Sequence, residues 1–291
     1  MNYRITHTTT YQYGDAVPVC HNQIRLSPRD SRWTQCVSHR LTIRPTPTTT
    51  AQRQDWFGNT VHAFSIDAGH RRLSVTASSR VTASQPDLCH PDSTPAWEEI
   101  ANGVREQTIA SWFDVSQFTF DSPRVISSNV FREFAAESFP SGRPILAGAI
   151  DLSSRIHEGF DYDASATDVT TPPEESLKLK RGVCQDFAHV ALAGLRSLGV
   201  PARYVSGYLR TVPPEGQPRL VGADQSHAWL SVWCGDAGWI DLDPTNDCLC
   251  SVDHIPIAWG RDYSDVTPIS GVFLGGGQHK LEVAVDVEPV D

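Results

Sequence analysis

The chain is short of basic residues. Its 24 lysines and arginines stand against 34 aspartates and glutamates, a formal charge of −10 over 291 residues. That balance argues against a nucleic-acid partner, because phosphate binding needs a basic surface. The acidic residues are scattered rather than run together, as on a solvated surface. No apolar run reaches the roughly 18 residues of a membrane span. The opening MNYRITHTTTYQYG has no apolar stretch of the signal-peptide kind. No membrane partner and a cytoplasmic location are the expectations. Internal repeats and low-complexity tracts are also missing, which excludes a solenoid.

A disulfide framework is missing as well. The cysteines are Cys20, Cys36, Cys89, Cys184, Cys234, Cys248 and Cys250, odd in number and irregular in spacing. That pattern fits a reducing compartment, and a chain of this size builds a core without staples. Cys248 and Cys250 form a C-x-C with His254 four residues on. Structural zinc is usually held by C-x₂₋₄-C pairs, so this spacing is a poor zinc signal, and neither a metal nor an organic cofactor is expected.

What is present divides in two. Residues 1–85 carry short alternating runs of Thr, Val, Tyr and Ile over 3–13, 23–26, 38–45, 60–66 and 72–81. Turn residues separate them, at Tyr13-Gly14-Asp15, Ser27-Pro28-Arg29-Asp30 and Phe57-Gly58-Asn59. Period two without a helical period predicts antiparallel strands and a small β-sandwich. Residues 86–96, rich in Ser, Pro and Asp, read as a linker, and 97–291 as a second domain. Within it, apolar residues at helical spacing predict helices over 97–111, 128–138, 145–158 and 174–180. The clearest helix is 184–198, where Phe187, Val190, Ala191, Gly194, Leu195 and Leu198 form one apolar stripe that Gly199-Val200-Pro201 ends. A strand over 202–209, an exposed loop over 211–225, a hairpin of 227–233 with 238–243, and a last strand over 280–287 complete the reading.

Three side chains carry chemistry. Cys184 opens the clearest helix, where the macrodipole favours a thiolate and free N–H groups can receive an oxyanion. An isolated helix cysteine is more often a small buried hydrophobe. His227 starts a strand after the loop, and Asp243 ends the next one before Pro244-Thr245. Either alone reads as structure. A hairpin register that sets His227 opposite Asp243 turns around Cys234-Gly235-Asp236 and makes the two cross-strand neighbours. A carboxylate there can fix the imidazole tautomer while the other ring nitrogen meets a thiol from a separate helix, which gives nucleophile, base and orienter. Asp241, on the same face two residues back, is the competing carboxylate. Asp186 reads equally as structural or substrate-facing. His189 reads as packed, and Tyr208 and Trp229 as core or pocket wall.

At these residues the sequence resembles the transglutaminase-like superfamily. The matching segments are Arg181-Gly182-Val183-Cys184-Gln185-Asp186-Phe187-Ala188, Ala202-Arg203-Tyr204-Val205-Ser206-Gly207-Tyr208, His227-Ala228-Trp229, and Trp239 through Asp243-Pro244-Thr245. They occur in the family's order and cover roughly residues 150–250. Tyr11-Gln12-Tyr13, Leu26-Ser27-Pro28-Arg29 and Asp55-Trp56-Phe57-Gly58-Asn59 resemble the β-rich amino-terminal region of the bacterial branch. The resemblance implies an α+β fold: a papain-like, transglutaminase-like core, with the cysteine helix packed on an antiparallel sheet, preceded by a β-sandwich-like domain. It implies Cys184 as nucleophile, His227 as base and Asp243, through its Pro-Thr, as orienting acid. Animal cross-linking enzymes place Gln before that cysteine and Trp after it. Val183 and Gln185 stand here, so the match is to the bacterial, protease-like branch. The expected function is hydrolysis of an amide or peptide bond in a peptide or protein substrate, through a thioester. The alternatives are protein cross-linking by glutamyl transfer and a non-catalytic binding module.

Overall fold

The structure, a computed structural model, describes residues 1–107, 112–211 and 225–290. The end of the helix expected over 97–111 and most of the loop expected over 211–225 lie outside them. Strands β1 (Asn2–Val17), β2 (Cys20–Ile24), β3 (Thr34–Arg44), β4 (Thr49–Gln54), β5 (Thr60–Ile66) and β6 (His70–Ala83) come first. Helices α1 (Trp97–Glu106), α2 (Phe113–Ser116), α3 (Asn129–Ala136) and α4 (Ile145–Gly159) follow. Short strands β7 (Asp161–Tyr162) and β8 (Arg181–Gly182) flank helix α5 (Pro173–Leu179). Next come α6 (Cys184–Ser197), β9 (Ala202–Leu209), β10 (Gln225–Trp233), β11 (Trp239–Asp243), β12 (Cys248–Leu249) and β13 (His254–Gly260). The chain ends with α7 (Tyr263–Val266), β14 (Ile269–Phe273) and β15 (His279–Val290). Among the described residues no helix is long and apolar enough to cross a membrane.

The amino-terminal strands form two sheets, β15-β1-β6-β3 and β14-β2-β5-β4. Their inner faces bury Tyr13, Val17, Ile24, Phe64, Ile66, Leu73 and Val75 in one core. Each such side chain stabilises the fold by roughly 1.5–3 kcal/mol relative to exposure. The last two strands depart from the expected division at residues 86–96. β15 pairs along β1, from Asn2 with Val290 to Tyr13 with His279, and β14 pairs with β2. The end of the chain thus completes the sandwich instead of extending the second domain. Without β15, β1 would present a long unpaired edge, a template for aggregation.

The second unit is the five-stranded sheet β12-β11-β10-β9-β13 with helices against it. Helix α6 is buried on nearly every side, not along one stripe as its apolar spacing suggests. The polar residues that break the stripe are hydrogen-bonded inside: His189 Nε2 accepts the Tyr263 N–H, and Arg196 donates to the Ala202 carbonyl. Leu192, Leu195, Leu230, Val232 and Leu242 join helix and sheet in one core.

The sandwich docks on this sheet through Tyr3, Ile5, Tyr208, Ile255 and Val287. Tyr208 is therefore an interface residue, its hydroxyl 3.0 Å from His7 Nδ1. The Asp55-to-Asn59 motif serves the same junction. Asn59 donates to the Trp259 carbonyl at 2.9 Å and accepts the Trp259 N–H at 3.0 Å. Arg29 donates to Asn59 and lies over the Trp259 ring, 3.5 Å from its centre.

Candidate active site

Cys184 is half-buried at the first position of α6. The preceding residues explain how it is held there. Gly182 has φ +153°, and a Cβ on it would stand 2.5 Å from Asp186 Oδ2. The glycine leaves room for that carboxylate to cap the helix: Asp186 accepts the Val183 N–H at 2.8 Å. The hydroxyls of Thr167 and Ser176 hold the same carboxylate at 2.7 and 3.2 Å. Asp186 is therefore a buried structural cap. The helical ladder begins with the N–H groups of Asp186 and Phe187, both on the Val183 carbonyl. The Cys184 N–H precedes it, has no partner among the described residues, and can receive an oxyanion.

His227 and Asp243 meet, but not in the expected register. Ser231 faces Asp241 and Trp233 faces Trp239, with a five-residue turn between the strands. Gly235 and Gly238 in that turn have φ +67° and +77°, where glycine is favoured. Continuing this register sets Asp243 level with Trp229, so His227 and Asp243 meet diagonally, within reach of long side chains. His227 Nε2 lies 2.7 Å from Asp243 Oδ2. A carboxylate only accepts, so Nε2 carries the proton. Nδ1 is left to face Cys184, the neighbouring side chain whose charge acts on the imidazole. Asp241, the competing carboxylate, instead accepts the Trp229 indole N–H at 3.0 Å. Trp229 is fully buried. Its ring lies where a Cβ on Gly207 would stand, which explains the glycine of the Arg203-to-Tyr208 segment.

Asp243 is fully buried and heavily hydrogen-bonded. Oδ1 accepts the N–H groups of Thr245 at 2.9 Å and Asn246 at 3.3 Å. Oδ2 accepts, besides His227, the Asn246 amide at 2.6 Å and His254 Nε2 at 3.1 Å. Burial works to raise this carboxyl. The hydrogen bonds from His227 and His254, the His227 charge and the Asn246 bond win, and hold it well below the usual carboxylate range. For His227, burial works downward, but the hydrogen bond to Asp243, the neighbouring Cys184 side chain and the charges of both raise it to about 10. The imidazolium is thus the favoured form at neutral pH, between two acceptors.

His254 was readable from the sequence only as a weak zinc ligand. In the structure its Nδ1 accepts the Ser251 N–H at 3.2 Å, which fixes its Nε2–H on Asp243. It comes from β13, outside the hairpin, and no spacing rule connects it to Asp243. Asn246, just past Pro244-Thr245, was equally unmarked. The C-x-C zinc set does not assemble. Cys250 packs with Val205 and Trp229, Cys248 is exposed, and His254 belongs to Asp243. His227, Asp243 and His254 do have ligand atoms within 4.8 Å of one another. Their mutual hydrogen bonds account for that closeness. Tyr162 borders the thiol: burial, then the nearby Cys184 and Asp186 charges, raise its phenol.

Residues 3–82 match the family described as the bacterial transglutaminase-like N-terminal region. Residues 133–244 match the transglutaminase-like superfamily. An uncharacterized protein of Mycobacterium tuberculosis is 39% identical over 297 residues, covering 99% of this chain and 93% of that one. A protein-glutamine gamma-glutamyltransferase of Pseudomonas aeruginosa is 34% identical over 92 residues, covering 31% of this chain and 14% of that one. A solved structure of a cysteine protease candidate from Cytophaga hutchinsonii superposes with a TM-score of 0.75 at 19% identity. That superposition covers 100% of this chain and 92% of the other, and it shows a common fold.

Proposed function

The chain belongs to the transglutaminase-like superfamily, and from that premise we propose that it hydrolyses an amide or peptide bond through a thioester on Cys184. The observation that carries this reading is the 2.7 Å bond from His227 to the buried Asp243, with Cys184 beside the imidazole at the start of α6. At rest the thiol proton lies on His227 Nδ1, so a thiolate stands beside an imidazolium. The sulfur attacks the substrate carbonyl, and the Cys184 N–H receives the oxyanion. As the tetrahedral intermediate collapses, the C–N bond breaks and the imidazolium protonates the departing amine. Water, deprotonated by His227, then attacks the thioester, releasing the acid and restoring the thiolate beside the imidazolium. Asp243 holds the tautomer and stabilises the imidazolium throughout. The free thiols throughout the chain support a reducing compartment as the working location.

An amine in place of water would make the same site a transglutaminase. The matched segment of the Pseudomonas aeruginosa glutamyltransferase favours that second reading. The flanking Val183 and Gln185, in place of the Gln and Trp of the cross-linking enzymes, favour hydrolysis. A screen of peptide and isopeptide substrates, with and without millimolar methylamine, separates them by mass. Hydrolysis yields the free acid with methylamine scarcely incorporated. Dominant formation of the methylamide would overturn the preference for water.

A further inference from the structure

A cavity of about 420 Å³ lies between the sandwich and the catalytic sheet, lined by neither Cys184 nor His227. Its size is typical of a small-molecule site. On the sheet side, Arg203 on β9 faces Ser231 on β10, and Ser231 faces Asp241 on β11. The three therefore stand in one row on one face of the sheet. Arg203 is only 9% exposed. Its guanidinium carbon lies 3.9 Å from the ring centre of Trp259 and 4.4 Å from that of Trp239. The two indoles cover the faces of the guanidinium and leave its edge, which carries five N–H donors.

That edge has no partner among the described residues. Arg203 Nε is buried without a hydrogen bond, and no carboxylate of the described residues lies within ion-pair distance of the guanidinium. Ser231 Oγ and Trp233 Nε1, from the same strand face, are also buried without partners, and Trp233 lines the cavity with Arg203. An uncompensated buried cation is unfavourable. Burial lowers the Arg203 pKa to about 9; Asp241 works against this and Arg29 with it. Domain glue through cation–π contact would explain the two indoles. It would not explain why Arg203 Nε and Trp233 Nε1, both on the cavity wall, lack partners, with Ser231 Oγ unpartnered in the same strand row.

We propose that this cavity binds an organic monocarboxylate with an apolar body, its carboxylate on the Arg203 edge and its body against the indoles. This goes beyond the hydrolase reading and does not rest on it. The charge of the walls selects the class. Arg203 and Arg32 are offset by Asp241. His254 has both ring nitrogens engaged, Nδ1 by the Ser251 N–H and Nε2 by Asp243. One net positive charge suits a monoanion, whereas a phosphate dianion would be repelled by Asp241. Trp33, Val252 and Pro256 continue the apolar lining.

Isothermal titration of the whole protein with phenylacetate, L-phenylalanine, phenylacetamide and inorganic phosphate tests the proposal. Saturable binding of phenylacetate or phenylalanine near one per chain is expected, with phenylacetamide and phosphate at least ~10-fold weaker, as loss of a charged hydrogen bond implies. Binding of either compound shows a carboxylate site, and their ratio says whether Asp241 also takes an ammonium group. Arg203→Gln should weaken binding by at least ~10-fold, and Ser231→Ala and Trp233→Phe by roughly 3-fold each. If Arg203→Gln fails to fold, the two milder variants decide. No saturable binding up to 10 mM (a ceiling on the order of the weakest fragment affinities), equal binding of phenylacetamide, tighter binding of phosphate, or affinity unchanged in the folded variants would each overturn the proposal.

Discussion

Cys184→Ala is expected to remove activity by on the order of 10⁴-fold or more, since loss of a nucleophile in a catalytic triad has costs of that size or larger. The substitution keeps the fold. Cys184 is half-buried at the first turn of α6, and Ala is the best helix former. The proposed oxyanion donor, the Cys184 N–H, is backbone and survives. Turnover of the best substrate from the peptide screen, with intact-mass detection of the acyl-enzyme, is the measurement. Cys248→Ala, at the exposed cysteine near Asp243, serves as control and should behave as wild type. Activity above a tenth of wild type in Cys184→Ala would remove the thiol from the mechanism.

Asp243→Asn should lower kcat by about 10²-fold. The corresponding change in a serine enzyme costs ~10⁴, and a thiol needs less help from its base. The surroundings of Asp243 give the reason. Its Oδ2 accepts from His227, His254 and Asn246, which all donate. An amide NH₂ in that place would set donor against donor. His227 would have to move its proton to Nδ1, toward the sulfur that it should deprotonate. Asp241→Asn should stay near wild type, because an amide oxygen still accepts the Trp229 N–H. Both variants are first checked for folding by circular dichroism, then compared in kcat and in the pH dependence of Cys184 alkylation. A larger kcat loss in Asp241→Asn would reassign the orienting acid.

Much of this site was legible in the sequence because its parts lie on strongly patterned elements. The helix that begins at Cys184, the strand over residues 202–209 and both hairpin strands have periods that leave little choice. The hairpin register was not legible. A turn centred on Gly235 or on Asp236 fits the pattern equally well, and the observed five-residue turn over 234–238, centred on Asp236, moves Asp243 level with Trp229. Diagonal reach restores the contact. β4 was missed because Thr49–Gln54 is polar and exposed along its whole length, an edge strand with no buried face to write a pattern. The placement of β14 and β15 was missed because a strand's sequence shows that it pairs, not with which partner. His254 escaped for the same reason: it reaches Asp243 from a strand on the far side of β9.

The central claim, that Cys184 is the nucleophile and His227 its partner, is tested most directly by stoichiometric iodoacetamide labelling at pH 6, mapped over all seven cysteines by mass spectrometry. Burial raises the thiols of Cys20, Cys36, Cys234 and Cys250, and that of Cys248 to about 11. The raised His227 keeps its proton at pH 6 and stands beside Cys184 as a cation. Labelling of Cys184 ahead of the other six, and loss of that preference in His227→Ala, is the predicted result. Labelling of Cys36, Cys89 or Cys248 ahead of Cys184 would contradict it.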